Sequence, residues 1–211
     1  LFKSGTNLIL FLSLPIAAFL ALFSKQFLSI FFGTDYVGGY IVLVIICLSY
    51  FIFGLSNTSN IMLYIKNKTK FVLFNSFVAV VLNVILNIIL IPKYGLVGAA
   101  IATGISVLVR GILIISESWY FSKIFPLSLR SFVPFIVVAV LSLISWYFMD
   151  YIKSFWMLLL ASIIFGGVYL ITLLLIRYFG KEEMELLNFV EHKLPFSTKK
   201  LHKILKPFFR N

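Results

Sequence analysis

Six apolar stretches, at residues 7–23, 39–64, 71–91, 96–116, 132–149 and 154–176, decide what this chain can fold into. A helix needs about 20 mostly apolar residues to cross the hydrocarbon core of a bilayer, with a range of about 17–25. No water is present there to satisfy backbone N–H and C=O groups, so each stretch must bond its own backbone and become a helix. None shows the roughly ten-residue alternation of a barrel strand. The expectation is an all-α fold, a polytopic membrane bundle of about six transmembrane helices over residues 1–176 with a separate tail at 177–211.

Composition agrees: 62% of the 211 residues are hydrophobic and only 12% are charged. An average soluble domain is roughly half apolar and a quarter charged, so the surplus here must face lipid. The net charge of +11 could suit nucleic acid, but the cations lie almost entirely between or after the apolar stretches. That placement follows the topology rule for membrane loops, and no nucleic-acid partner is expected. The lone Cys47 lies inside an apolar stretch and reads as a small hydrophobe rather than a disulfide or metal ligand. The chain starts with Leu1, which reads as a piece of a longer protein. Lys3 and the first stretch have the outline of a signal peptide, but no small-x-small cleavage site closes it and five further apolar stretches follow.

Short polar breaks separate the stretches. Lys66-Asn67-Lys68-Thr69-Lys70 divides the second from the third, and Asp150-Tyr151-Ile152-Lys153 joins the last two. Pro92-Lys93-Tyr94-Gly95 reads as a tight hairpin, proline ending one helix and glycine permitting the turn. The longer break at 25–38 contains a phenylalanine-rich piece, residues 27–32, expected to lie along the membrane interface. Lysines and arginines set the orientation. Lys3, the Lys66–Lys70 break, Lys123, Arg130 and the tail place fourteen cations on one side, against Lys25, Lys93 and Lys153 on the other. Both ends of the chain are therefore expected in the cytoplasm, with the protein in the cell membrane.

In the tail, Glu182, Glu183, Glu185 and Glu191 with Met184, Leu187, Val190 and Leu194 suggest a short amphipathic helix. After Pro195, Leu201, Ile204 and Leu205 are interleaved with Lys199, Lys200, Lys203 and Lys206. Such a segment suits anionic membrane lipids, at about 1 kcal/mol per cation near the surface. A solvated tail acting only as a topology signal accounts for the same residues.

No catalytic constellation is visible, and neither a cofactor nor a metal site is expected. His192 and His202 both lie in the tail, and no stretch carries Asp or Glu near its middle. What remains is polar residues within the spans. Asn75, Asn83 and Asn87 share one helical face with Ala79, while Asn57, Thr58, Ser59 and Asn60 cluster late in the second stretch. Amides in hydrocarbon must meet other polar groups, so this stripe either bonds between helices or lines a wet cavity. Arg110 is the one ionised residue well inside a span. It either snorkels to the interface, near Glu117, or binds an anionic head group whose oxygens suit a guanidinium fork. Two rows of small residues, Gly98-Ala102-Ser106 and Gly95-Ala99-Thr103, predict close helix packing.

The stretch Pro92-Lys93-Tyr94-Gly95-Leu96-Val97-Gly98-Ala99-Ala100-Ile101-Ala102-Thr103 also resembles the P-x-Y-G-x-x-G-A-A-x-A-T hairpin of the polysaccharide and lipid-linked oligosaccharide flippases. That superfamily includes the MATE drug exporters and the peptidoglycan-precursor flippases. Phe32-Gly33-Thr34-Asp35-Tyr36 is similar to its F-G-x-x-Y segment, and the third-span asparagines with their Ile91-Pro92 exit fit as well. The resemblance covers about residues 1–176 and leaves the tail outside. It implies one lobe of a MATE-like transporter, the C-terminal six helices of roughly twelve or fourteen, working with an N-terminal lobe by alternating access. The implied substrate is a polyprenyl-pyrophosphate-linked oligosaccharide moved from the cytoplasmic to the outer leaflet. Candidate substrate-binding residues are then Arg110, Asn83, Asn87, Asn57 and Asn60.

Three other functions compete. A drug/cation antiporter of the same superfamily expects an intramembrane carboxylate. A membrane glycosyltransferase or polymerase expects a large outer loop with catalytic residues. A membrane scaffold expects neither.

The orientation predicts that Lys93→Cys in intact cells reacts with a membrane-impermeant thiol reagent, while Ser197→Cys stays protected until the membrane is opened. The reverse pattern overturns it.

Overall fold

A computed structural model describes residues 2–125, 131–176 and 178, with side chains from residue 5 onward. The described residues are helical, without strands. Helix α1 spans Phe2–Leu22, α2 Ser24–Phe31, α3 Tyr40–Leu55, α4 Asn57–Ile65, α5 Thr69–Ser122, α6 Phe132–Tyr147 and α7 Phe155–Leu175. Short 3-10 turns at Thr34–Gly39 and Met149–Tyr151 lead into α3 and toward α7. Four helical segments are long and apolar enough to cross a membrane: Gly5–Leu22, Thr34–Ile65, Thr69–Ser122 and Phe155–Leu175. Helix α6 has 16 residues, about 24 Å of rise, which is shorter than the fifth apolar stretch suggests.

The 54-residue α5 is a hairpin of two legs, 69–94 and 96–122, reversed at Gly95. Gly95 has φ 55° and ψ −130°, a backbone region that side-chain-bearing residues avoid. The expected break at Pro92 does not occur, because the first leg stays helical through it. Proline removes a single backbone donor there, and the helix ends only three residues later, so little of the hydrogen-bond ladder is lost. The second apolar stretch also departs from expectation. It divides at Ser56 into α3 and α4, where the Ser56 Oγ donates to the Phe53 carbonyl at 2.6 Å. A hydroxyl that bonds back onto the preceding turn commonly bends a helix. The phenylalanine-rich piece forms most of α2, whose end is turned by Gly33 at φ 103°.

Two packing centres organise the bundle. The larger is apolar and lies where α1 meets α3, α6 and α7, with Leu10, Leu14, Phe51, Leu55, Val137, Phe165 and Leu173 buried together. Aromatic rings fill it, Phe11 stacking on Tyr169 at 5.8 Å and Phe51 meeting Phe135 edge-on at 5.9 Å. The smaller joins α4 to both legs of α5 through Leu63, Val72 and Ile114. Helix α3 lies between the two centres, packed against α1 and α5. The outer surface is the opposite of a soluble protein's: Leu73 is 75% exposed, Ile88 70% and Leu143 69%. Contiguous apolar surface of this kind belongs in lipid.

Glycines set the spacing around the second leg. A Cβ at Gly98 would collide with the Leu90 carbonyl of the first leg. At Gly104 it would come within 2.7 Å of the Ser49 Oγ on α3, and at Gly111 within 3.8 Å of Ser56. The expected small row Gly98-Ala102-Ser106 is buried throughout, whereas Gly95 of the parallel row is exposed at the hairpin tip. Arg130 and all of the 177–211 tail except Tyr178, with its acidic and basic amphipathic segments, lie outside the described residues.

Replacing Gly98 with alanine is expected to lower thermal stability in detergent by about 1–3 kcal/mol, as overpacking does. The control is Gly167→Ala, whose Cβ would meet nothing within 4 Å. Equal melting of the two variants would show that the legs are not in backbone contact.

Candidate functional site

Polar side chains inside the bundle collect where α3 and α4 face the two legs of α5. Near the hairpin tip, the Asn87 Nδ2 donates to the Asn83 Oδ1 at 2.9 Å, one turn away on the same face. The Asn83 Nδ2 in turn reaches the Thr103 Oγ1 of the second leg at 3.4 Å, a long bond. Two turns before Asn83, Asn75 is fully buried and its Nδ2 donates to the Glu117 Oε2 at 2.6 Å. The asparagine stripe thus runs along the seam of the hairpin, tying the legs together at both ends. Asn83 and Asn87 remain half-buried, so each still shows part of its amide outside the seam.

Arg110 belongs to a different face. Ser106, Arg110, Ile114 and Ser118 recur every four residues on the second leg, and all but Arg110 are buried. That row meets the junction of α3 and α4: Gly111 abuts Ser56, and the Arg110 Cζ stands 5.1 Å from the centre of the Phe53 ring. A guanidinium at this distance is held by the ring quadrupole. The Arg110 Nε is nevertheless buried without a hydrogen-bond partner. No ion pair joins Arg110 to Glu117 among the described residues. The carboxylate is instead bonded to Asn75.

Further polar atoms around the same interface lack partners: the Ser59 Oγ and Asn60 Oδ1 on α4, the Ser118 Oγ on the second leg, and the Asn75 Oδ1 on the first. Buried polar atoms normally find partners, and unpaired ones mark strain, water or a ligand. Of the five residues expected from sequence, Arg110 lies against the α3–α4 junction one turn before Asn60, and Asn83 pairs with Asn87 nearer the hairpin tip. Asn57 stands apart and exposed. Its neighbour Thr58 points inward to α1, where the Thr6 and Thr58 hydroxyls are 2.7 Å apart. Sequence reasoning passed over Phe53 and Ser118. The four-residue spacing of Ser106, Arg110 and Ser118 was the signal that could have placed Arg110 on a buried face.

Chemically, the region offers one cation, one carboxylate and several amide and hydroxyl groups at the edge of an apolar bundle. That set can bind and orient a polar head group. Among the described residues no three His, Cys, Asp or Glu side chains converge as metal ligands do. No family model, curated protein or solved structure matches this chain.

The Asn75–Glu117 bond predicts a specific asymmetry. Glu117→Ala leaves the buried Asn75 amide without its acceptor and is expected to cost about 1–3 kcal/mol of stability in detergent. Glu117→Gln retains an acceptor oxygen and is expected to lose less. Unfolding curves in which the two variants coincide would remove the bond from the account.

Proposed function

We propose that this chain is one lobe of a membrane transporter that moves a lipid-linked, pyrophosphate-bearing oligosaccharide across the cell membrane by alternating access. The observation that carries the reading is Arg110, a cation inside the bundle with a buried, unpartnered Nε and no counter-ion among the described residues. An uncompensated charge at such a site is costly, and it is retained where an anion completes it. The second leg continues to Ser122 and carries exposed Trp119 and Tyr120, residues that favour the membrane–water interface. Arg110 lies nine residues before Trp119, about 14 Å along the helix, which is far for a side chain that only snorkels. Guanidinium suits a diphosphate bidentately, and the amides and hydroxyls nearby suit sugars. A lipid tail stays in the bilayer while only its head enters.

In this reading α1, α3 with α4, the two legs of α5, α6 and α7 make six passes, both chain ends are cytoplasmic, and the cytoplasmic tail touches anionic lipid. The substrate cavity forms against an N-terminal lobe, toward which the half-exposed Asn83 and Asn87 turn. The resemblance of residues 92–103 to the flippase hairpin supports the substrate class. The drug/cation antiporter reading draws on one observation of its own, the Glu117 carboxylate on the fully buried Asn75.

In the full-length protein at matched expression, Arg110→Ala is expected to abolish or sharply reduce export of the lipid-linked sugar. Arg110→Lys is expected to retain part of it, since the charge survives but the fork is lost. Near-normal export by Arg110→Ala overturns the assignment. Ion-gradient-driven efflux of an organic cation that is lost in Glu117→Gln and unaffected in Arg110→Ala would favour the antiporter.

A further inference from the structure

Helix α2 separates two unlike recesses at the end of the bundle away from Arg110. On one flank, Phe27 and Phe31 join Phe19 of α1 with Phe155, Leu158 and Gly166 of α7 around an apolar groove of about 490 Å³. The Phe31 and Phe155 rings meet edge-on at 5.7 Å across its mouth. On the other flank, Lys25, Gln26 and Ser29 face Ile152 and Lys153 across a mixed recess of about 280 Å³ that Ile30 and Val37 also line. The two recesses adjoin along the same pair of segments, since Lys153 precedes Phe155 by two residues.

The polar groups of this mixed recess are incompletely satisfied. The Gln26 Nε2 donates to the Met149 carbonyl at 3.1 Å, but its Oε1 is buried without a partner. The Lys25 ammonium sits 4.5 Å from the Tyr40 ring centre, which fixes the side chain without neutralising it. Asp35 and Asp150, the carboxylates of the neighbouring 3-10 turns, are exposed and pair with neither lysine. Two unneutralised cations and a free acceptor beside an aromatic-walled groove are complementary to one kind of molecule: an anionic phosphate with hydroxyl groups and a long apolar chain.

We propose that α2 and the start of α7 form a binding site for an anionic glycerophospholipid of the bilayer. Its phosphate lies between Lys25 and Lys153, a head-group hydroxyl donates to the Gln26 Oε1, and one acyl chain fills the groove beneath Phe27 and Phe31. The site is separate from the Arg110 region and requires only that α2 lie at a membrane face, so it stands whether or not the chain is a flippase lobe. An occupied groove would join α1, α2 and α7 through lipid where their side chains leave a gap.

The test uses the full chain in detergent, with phosphatidylglycerol and phosphatidylcholine offered together and bound lipid read by native mass spectrometry. Wild type is expected to retain phosphatidylglycerol preferentially. The pair Lys25→Gln and Lys153→Gln is expected to weaken phosphatidylglycerol about fivefold per lysine and leave phosphatidylcholine unchanged, while arginine at both positions keeps the preference. Gly166→Leu should fold, because its Cβ meets nothing within 4 Å, and it is expected to displace either lipid by filling the groove. An unaltered preference in the glutamine variant would assign the anionic lipid to the basic tail and overturn the proposal. Unaltered lipid retention in Gly166→Leu would overturn the groove, and displacement of the lipid by glycerol phosphate alone would make this a soluble-phosphate site instead.

Discussion

Close backbone contact along the second leg of α5 is the constraint on which the rest of the bundle depends. In lipid there is little hydrophobic drive to bring helices together, so packing and hydrogen bonds must do it. Gly98 admits the first leg, Gly104 admits Ser49 of α3, and Gly111 admits Ser56 at the α3–α4 junction. At Gly98 and Gly104 the contact depends on the missing side chain, whereas a Cβ at Gly111 would meet Ser56 at ordinary van der Waals distance. A larger residue at Gly98 would push the two legs apart at the hairpin tip, and one at Gly104 would press on Ser49 of α3.

The same approach explains why the polar groups lie where they do. The centre formed by α1, α3, α6 and α7 is filled by interlocking aromatic and aliphatic side chains, which interdigitate without needing short helix separations. The α4–α5 side surrounds its own apolar contact of Leu63, Val72 and Ile114 with small and polar residues, and most of the buried unpartnered polar atoms lie there. Helix α3 belongs to both, and the Thr6–Thr58 contact ties α4 back to α1. A mainly apolar half and a half richer in unpartnered polar atoms form an arrangement suited to the proposed transport role, in which the polar side receives a ligand. The lipid site proposed at α2 lies on the apolar half, where a bound chain would add to the packing.

Helical structure and burial of the helices in lipid were legible from the apolar stretches alone, because backbone groups in hydrocarbon leave no other solution. The asparagine stripe was legible as one face through its four-residue period, and the small row Gly98-Ala102-Ser106 as a packing face. Other features were not. Gly95 makes the turn its place in the break predicts, whereas Pro92, read as the helix end, stays inside the first leg, because one lost donor near a terminus costs little. Asn57, Thr58, Ser59 and Asn60 read as one polar cluster, yet along α4 Asn57 is exposed while Thr58 and Ser59 are buried and Asn60 half-buried.

Sequence by itself determined the helical character of the chain, the charge asymmetry of the breaks and the faces on which polar residues recur. Those properties depend on local periodicity and on the transfer of single segments into lipid, which each segment decides alone. Tertiary structure decided which apolar face meets another helix and which meets lipid, and hydropathy cannot distinguish these because hydrocarbon tails and leucine side chains are equally apolar. It also decided that Arg110 meets Phe53 rather than Glu117, that Glu117 belongs to Asn75, and that Lys25 and Lys153, 128 residues apart, line one recess. Each of those pairings depends on how distant segments pack, and so no single stretch of the chain contains it.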